Sequence, residues 1–216
     1  MVDLKYNKVK PRLSADDIPA ILSVLTEENV EYLPILSGAN DDKDKPRFNG
    51  FEIGKILSVM TKDNESYLPL LLEAKNFNGR QRFDGNGISE ILPVITEENK
   101  DYLNLMAIAK DDNGRQRFAN SDIRSVMEHT TSTNKNWLPK LVGARDCNGI
   151  PRFSTNTIRR IMNEATEENK YCLDKLINAK DNKDKPKFDG FGIARILSKT
   201  TKENKEYLDI VLEEKD

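Results

Sequence analysis

The sequence has little of what enzyme active sites and metal centres are made from. Its 216 residues include one histidine, His129, and two cysteines. No Ser-His-Asp or Cys-His arrangement recurs, and no glycine-rich phosphate loop is present. Cys147 and Cys172 match neither a disulfide framework nor a paired metal site, so we expect two packed thiols. We expect a protein that is not an enzyme, with no catalytic, cofactor-binding or metal-binding residues.

Acidic loops are present, but their spacing does not suit calcium. A calcium loop places oxygen ligands at alternating positions, with glycine sixth and a glutamate at its end. In the loops that begin at Asp111 and Asp146, Gly114 and Gly149 come fourth. We therefore expect these residues to form turns.

Long apolar runs and a strong net charge are also missing. No stretch approaches the ~18 apolar residues that a membrane span requires. The first ten residues, MVDLKYNKVK, lack the apolar core of a signal peptide. The formal net charge of −2 does not draw the whole chain toward nucleic acid or an anionic membrane. We expect a cytoplasmic protein with no membrane partner, although export by a route without a signal peptide stays open.

What the sequence does contain is six consecutive copies of one 35-residue unit. An offset of 35 residues aligns the chain with itself without insertion or deletion, which is the signature of a repeat protein. An aromatic anchor stands at Phe48, Phe83, Phe118, Phe153 and Phe188, with Leu13 in the first copy. A constant asparagine stands at Asn29, Asn64, Asn99, Asn134, Asn169 and Asn204. Copies 1 to 6 cover about 7–41, 42–76, 77–111, 112–146, 147–181 and 182–216, and we predict that 1–216 is one array.

Each copy carries two short amphipathic stripes. In copy 2, Ile53, Ile56, Leu57 and Met60 follow the spacing of one helical face, and a second stripe follows the constant Asn. In three copies a proline five residues after that Asn would break a continuous helix, so we expect two helices, with Asn or Thr capping the second. We expect a kink at Pro93, inside the first helix of copy 3. In four copies a capping residue marks the predicted start of the first helix: Asp16, Asn86, Ser121 and Asn156.

Short loops join the copies, as at Asn113-Gly114, where Asn-Gly favours a tight turn. A loop followed by two helices resembles the layout of ankyrin repeats, and the helical hairpin resembles tetratricopeptide and pentatricopeptide arrays. The ankyrin run Thr-Pro-Leu-His is absent, and Pro-Arg-Phe or Gln-Arg-Phe takes its place. We predict an all-α fold, an α-solenoid of six two-helix repeats in one elongated, right-handed array.

The constant columns are expected to build the scaffold. The uniform Asn can bond unpaired backbone groups at a helix terminus in every copy. The basic residue before the anchor has two interpretations. It either pairs with loop aspartates and helix C-termini, or it forms a stripe that binds a phosphate backbone. This column consists of Arg12, Arg47, Arg82, Arg117, Arg152 and Lys187.

Recognition is expected where the copies differ. Three columns are apolar in copies 1 to 3 and turn polar or charged in copy 4, as at His129, Thr130 and Lys140. Residues 1–110 carry 14 basic and 18 acidic residues, whereas 111–216 carry 20 and 18. A contiguous apolar strip marks a protein interface. The predicted partner-binding residues are Val24, Leu25, Ile35, Val59, Met60, Leu70, Val94, Ile95, Leu105, Arg124, Arg159, Arg160 and Arg195.

These columns predict a monomeric, non-enzymatic scaffold that binds a protein or peptide partner along its variable surface. Two alternatives stay open. In the first, the differences between copies are sequence drift at core and solvent positions and have no role in binding. In the second, the array binds nucleic acid, RNA in particular, through its recurrent Arg/Lys column.

Overall fold

The structure is a computed structural model that describes residues 13–213. All regular secondary structure in this range is helical, and β-structure is limited to isolated bridges. The prediction of an all-α fold is therefore confirmed. The chain divides into two compact units, with the boundary between Pro93 and Val94. Unit 1 precedes this boundary and unit 2 follows it.

Unit 1 consists of short α-helices joined by 3₁₀ turns and loops. Its α-helices are α1 (Asp17–Leu22), α2 (Leu33–Gly38), α3 (Gly50–Val59), α4 (Leu68–Glu73) and α5 (Gly85–Ile91). The 3₁₀ turns Val30–Tyr32 and Glu65–Tyr67 lead into α2 and α4. The first helices of the copies, α1, α3 and α5, pack side by side in chain order, while α2 packs on α3 and α4 on α5.

Two glycines allow the first helices of unit 1 to approach closely. A Cβ at Gly50 would lie 2.1 Å from the Cβ of Asp17, and a Cβ at Gly85 would lie 2.4 Å from that of Glu52. The backbone N–H of Gly50 donates to Asp17 Oδ1 at 2.9 Å. Because packed interiors leave no space for an added methyl group here, glycine is required at both crossings.

Unit 2 repeats this arrangement. Its α-helices are α6 (Leu103–Ile108), α7 (Asn120–Glu128), α8 (Leu138–Gly143), α9 (Thr155–Asn163), α10 (Leu173–Asn178), α11 (Gly190–Leu197) and α12 (Leu208–Glu213). The first helices α7, α9 and α11 pack in chain order. Gly190 lies against Thr157 where α9 and α11 cross. At the corresponding positions of α7 and α9 stand Asp122 and Thr155, and these two helices pack less extensively.

The cores of the two units are made from the columns that are constant along the chain. Ile53 and Ile88 in unit 1 and Ile123 and Ile158 in unit 2 are fully buried. The aromatic anchors Phe48, Phe83, Phe118 and Phe153 are also buried. Of the two thiols expected to be packed, Cys172 is buried but Cys147 is exposed, because it lies in a loop.

The constant Asn fastens the turn between the two helices of a copy. Asn99 Oδ1 accepts a hydrogen bond from the Thr96 N–H at 2.8 Å. Its Nδ2 donates to Val94 O in the same copy and to Met127 O in the next. These carbonyls follow or end first helices, so the predicted role at helix termini is confirmed, whereas the expected capping of the second helix is wrong. The same three bonds are made by Asn29, Asn134 and Asn169.

In copy 1 the predicted helix start is confirmed, because Asp16 is the N-cap of α1. In copies 2 to 6 the N-caps lie two residues upstream of that column, and the side chains that accept a backbone N–H there belong to Asn49, Asp84, Ser154 and Asp189. Asn86, Ser121 and Asn156 therefore lie inside helices, and Asp16 stands at an N-cap without a capping bond. In copy 3, α5 ends at Ile91 and Pro93 falls in the 3₁₀ turn Leu92–Val94, because proline cannot continue the α-helical bonding.

The loops between copies are tight turns held by a carboxylate or an amide oxygen. Asp111 Oδ1 accepts from the N–H groups of Asn113 and Arg115 at 2.9 and 2.8 Å. Gly114 has φ 73°, a conformation that glycine adopts without strain. The expected turn role of these acidic residues is confirmed. Two loops without glycine place Asp44 and Asp184 in the same left-handed region.

Candidate partner-binding surface

The ends of the first helices and the positions just after them hold six of the predicted partner-binding residues. Four are half-buried: Val24, Leu25, Val59 and Val94. Met60 and Ile95 are 8% and 4% exposed and belong to the core instead of the expected surface. Four residues after Ile95, Asn99 Nδ2 donates to the Met127 carbonyl in the next copy. Met60 and Ile95 are thus removed from the candidate surface.

The most exposed apolar members of the predicted set lie on the second helices of unit 1. Ile35 on α2 is 50% exposed and Leu70 on α4 is 39% exposed. In unit 2, Leu105 on α6 is half-buried, and the same position carries exposed Lys140 and Lys175 in the next two copies. Aliphatic side chains at this register position in two consecutive second helices form the surface we call the outer strip, which consists of Ile35 and Leu70.

An ion pair in unit 2 shows which positions of neighbouring second helices meet. Lys140 Nζ on α8 contacts Asp174 Oδ2 on α10. Both side chains are about half exposed, so the pair contributes at most about 1 kcal/mol to stability. The same two register positions in unit 1 hold Ile35 and Pro69, both exposed. The outer surface is thus apolar in unit 1 where it is charged in unit 2.

The predicted basic residues lie on the first helices of unit 2. Arg124 Nη2 is 3.2 Å from Glu128 Oε1, one turn along α7. Arg160 lies over the ring of Phe191 in the next copy, 4.7 Å from its centroid. Arg159 is half-buried, and Arg195 is exposed beside a groove on copy 6. Arg124 and Arg160 are therefore engaged by groups of the protein itself.

The recurrent basic column clamps consecutive copies together. Arg47 Nη1 donates to Leu72 O, in the last turn of α4, at 2.7 Å, and Nη2 donates to Phe83 O at 2.8 Å. Its guanidinium also lies over the ring of Phe48. Lys187 Nζ donates to Leu212 O at 3.3 Å, and Arg12 lies outside the described residues. The paired bonds recur for Arg117, to Val142 and Phe153, and for Arg152, to Ile177 and Phe188.

Burial affects the acidity of these guanidinium groups. It lowers the pKa of Arg117 to about 10, with a smaller lowering from the nearby charge of Arg145. Burial also lowers the pKa of Arg47 and of Arg152. At neutral pH Arg117 stays charged, and a half-buried charge needs the carbonyl acceptors that it has here. Of the two roles open to this column, the role at helix C-termini matches these contacts.

A groove of about 560 Å³ opens on copy 6 beside α11 and the 3₁₀ turn Lys205–Tyr207. Its lining includes Arg195, Ile196, Asn204 and Tyr207. Tyr207 is 61% exposed, although the corresponding Tyr67 and Trp137 are buried. The repeat pattern assigns this column to the scaffold and does not by itself reveal the exposure of its last member.

Sites of other kinds are absent from the part of the chain that the structure describes. Residues 13–213 hold no group of three His, Cys, Asp or Glu side chains placed for a metal ion. No helix in the same range has the length and apolar character needed to cross a bilayer. Comparisons of the chain with protein-family models, with curated proteins and with solved structures find no match.

Proposed function

We propose that the chain is a non-enzymatic α-solenoid scaffold that binds a protein or peptide on the outer strip. The observation that carries the proposal is the exposure of Ile35 and Leu70 at one register position of consecutive second helices. Exposed apolar side chains at repeated positions are typical of interaction surfaces. The stacking of consecutive copies within each unit is supported by the Asn and Arg bonds that join them.

The chemistry of the partner follows from the surroundings of the strip. Pro34 and Pro69 flank it and are exposed, and prolines add apolar area that carries no backbone N–H. The strip itself offers no charge to a partner. A segment with aliphatic or aromatic side chains at repeated spacing fits this surface, as in the recognition of helices by apolar grooves.

The test uses a peptide selected on the purified chain from a displayed random library. Its affinity is then measured by fluorescence polarisation for the unaltered chain and for the double variant Ile35→Asp, Leu70→Asp. We expect the variant to bind the peptide on the order of tenfold or more weakly. The bound peptide would cover two carboxylates instead of two apolar side chains, and it would have to remove their water. Both residues are exposed, so the far-UV circular dichroism should be unchanged.

A matched control separates the strip from apolar exposure in general. Ile108 on α6 is 51% exposed and lies at a different register position of a second helix. Ile108→Asp should leave peptide affinity unchanged. Equal affinity of the unaltered chain and the double variant would refute the proposed surface.

Binding of nucleic acid is the less supported alternative. The guanidinium groups of Arg47, Arg117 and Arg152 donate to backbone carbonyls, which leaves fewer donors for phosphate. We expect no binding of labelled single-stranded RNA even at low salt. Tight binding that weakens by orders of magnitude as salt is raised would favour the alternative instead.

A further inference from the structure

The described parts of copies 1 and 6 each expose columns that are buried in the other copies. On copy 6, Asn204 is exposed and Ile196 is half-buried, although both columns are buried in copies 1 to 5. On copy 1, Ile18 is 47% exposed and Leu22 is 64% exposed. Their counterparts in copies 2 to 6 are fully buried. We call the first surface the tail face (Gly192, Arg195, Ile196, Asn204, Tyr207, Ile210) and the second the head face (Ala15, Asp16, Ile18, Leu22, Val30, Pro34).

Junctions inside each unit show which positions of consecutive copies meet. Residues 31 apart meet through Arg160 and the ring of Phe191. Residues 33 apart meet where Trp137 Nε1 donates to Lys170 O at 2.8 Å. Pairs 28, 33 and 34 residues apart are Asn134 with Met162, Asp17 with Gly50, and Lys140 with Asp174.

Suppose that copy 1 of a second molecule follows copy 6 as one copy follows another inside a unit. The same spacings then pair the tail face of the first molecule with the head face of the second. Arg195 then meets Asp16, a residue of opposite charge. The exposed ring of Tyr207 meets Val30, which is 49% exposed. Val30 is the only apolar residue in its column, which otherwise holds Glu65 and four lysines. Charge and apolar area are therefore complementary at these two places.

Two further pairs agree in size and polarity. Ile210, 61% exposed, meets Pro34. Where α9 and α11 cross, Thr157 requires the small Gly190 opposite it. On the tail face Gly192 replaces the threonine, and the residue that meets it is Ala15, whose methyl group takes the space that Thr157 fills in its own junction. Asn204 Nδ2 is placed to donate to Leu22 O, as Asn134 donates to Met162 O.

We infer that the chain associates with a second copy of itself head to tail, with the head face of one molecule on the tail face of the next. This inference rests on the junctions inside each unit and not on the peptide-binding surface proposed above. Because the two faces differ, the contact is heterologous, and it extends into an open chain of molecules or closes into a ring. It differs from the expectation of a monomer that came from the sequence.

One pair opposes the association and supplies a sharp test. Thr133 Oγ1 donates to Glu167 Oε1, 34 residues away, and Lys62 pairs with Glu28 at the same spacing. In the contact between two molecules this spacing brings Glu203 opposite Glu27, two like charges at an exposed rim. Glu203→Lys should therefore tighten the association.

The experiment measures the mass of the purified full chain by sedimentation equilibrium over a range of concentrations. We expect the average mass to rise above 24.6 kDa as concentration increases. Arg195→Glu and Asp16→Arg should each weaken association on the order of tenfold, because each places like charges at the contact. An equimolar mixture of the two variants should recover it, since each tail face then meets a head face of opposite charge.

Arg124→Glu serves as the matched control, because Arg124 is an exposed arginine outside both faces. It should leave the mass profile unchanged. A chain that stays monomeric at every concentration would overturn the inference. So would association that is unaffected by Arg195→Glu and Asp16→Arg, or a mixture that fails to recover. Loss of peptide binding in the Ile35→Asp, Leu70→Asp variant leaves these results unchanged, so the two proposals fail separately.

Discussion

Units 1 and 2 are built from the same columns but differ in how neighbouring helices meet. In unit 1 the first helices cross at Gly50 and Gly85, and the outer strip is aliphatic. In unit 2, α9 and α11 also cross at a glycine, Gly190, but α7 and α9 meet with Asp122 and Thr155 at the crossing. The outer surface of unit 2 carries ion pairs such as Lys140 with Asp174. This difference shows that the residue positions that are constant among the copies determine the fold of one copy. The variable positions determine how closely neighbouring copies pack and whether their surface is apolar or charged.

The largest expected effect tests what the units share. Phe83→Ala in unit 1 and Phe118→Ala in unit 2 should each lower the free energy of unfolding by about 3–5 kcal/mol, because each ring is buried and leaves a cavity. Urea unfolding followed by circular dichroism measures both, and the fluorescence of Trp137 reports on unit 2. A loss below about 1 kcal/mol for either variant would show that the anchors are not equivalent.

The Asn column should also behave alike in the two units. Asn29→Ala and Asn134→Ala should each cost about 2–4 kcal/mol of unfolding free energy, because three backbone groups lose their partner. Asn204→Ala is the control. Asn204 is exposed and makes two of these bonds, which water can replace, so its loss should stay below about 1 kcal/mol. Equal losses for Asn134 and Asn204 would contradict the bridging role between copies.

Helix crossings with and without glycine should respond differently to substitution. Gly50→Ala should lower the free energy of unfolding by about 1–3 kcal/mol, because the new methyl group overlaps the Cβ of Asp17. Thr155→Ala, at the same register position in unit 2, removes atoms from a half-buried site and should cost less than about 1 kcal/mol. Urea midpoints of the two variants provide the comparison. A larger loss for Thr155→Ala would reverse our account of the crossings.

The smallest expected effect on stability tests the outer surface. Lys140→Ile gives unit 2 the residue type that unit 1 has at this position. Removal of an exposed ion pair should change the free energy of unfolding by about 0.5 kcal/mol or less. Urea unfolding measures this change, and a loss above about 1 kcal/mol would mean that the ion pair contributes more to the packing of α8 and α10 than an exposed pair should.

The two helices of each copy and the break between them could be predicted, because both depend on residues that are close together in the chain. Periodicity identified both helices of each copy, and the prolines separated them. The start of the first helix was right in copy 1 but two residues late in copies 3 to 5; in copy 3 the true cap, Asp84, precedes a glycine that shows no amphipathic pattern. The turn role of Asp111 and the placement of Asn99 at helix termini were predicted from their ordinary hydrogen-bonding capacity.

The candidate surface could be predicted only in part. Ile35 and Leu70 are exposed as expected, but Met60 and Ile95 are buried although they share the same apolar-to-polar trend along the chain. A trend between copies shows that a position tolerates change. It does not show which side of the turn the side chain occupies, because that depends on the contacts with the next copy.

The sequence by itself determined the 35-residue period, the helical hairpin of each copy and the turn chemistry between copies, because all three depend on residues close together in the chain. Only the tertiary structure decided that the recurrent arginines bind backbone carbonyls and that glycines set the helix crossings of unit 1. It also decided that core columns are exposed on copies 1 and 6. These features depend on residues about 25 to 36 positions apart, and their distances are fixed only when the copies pack.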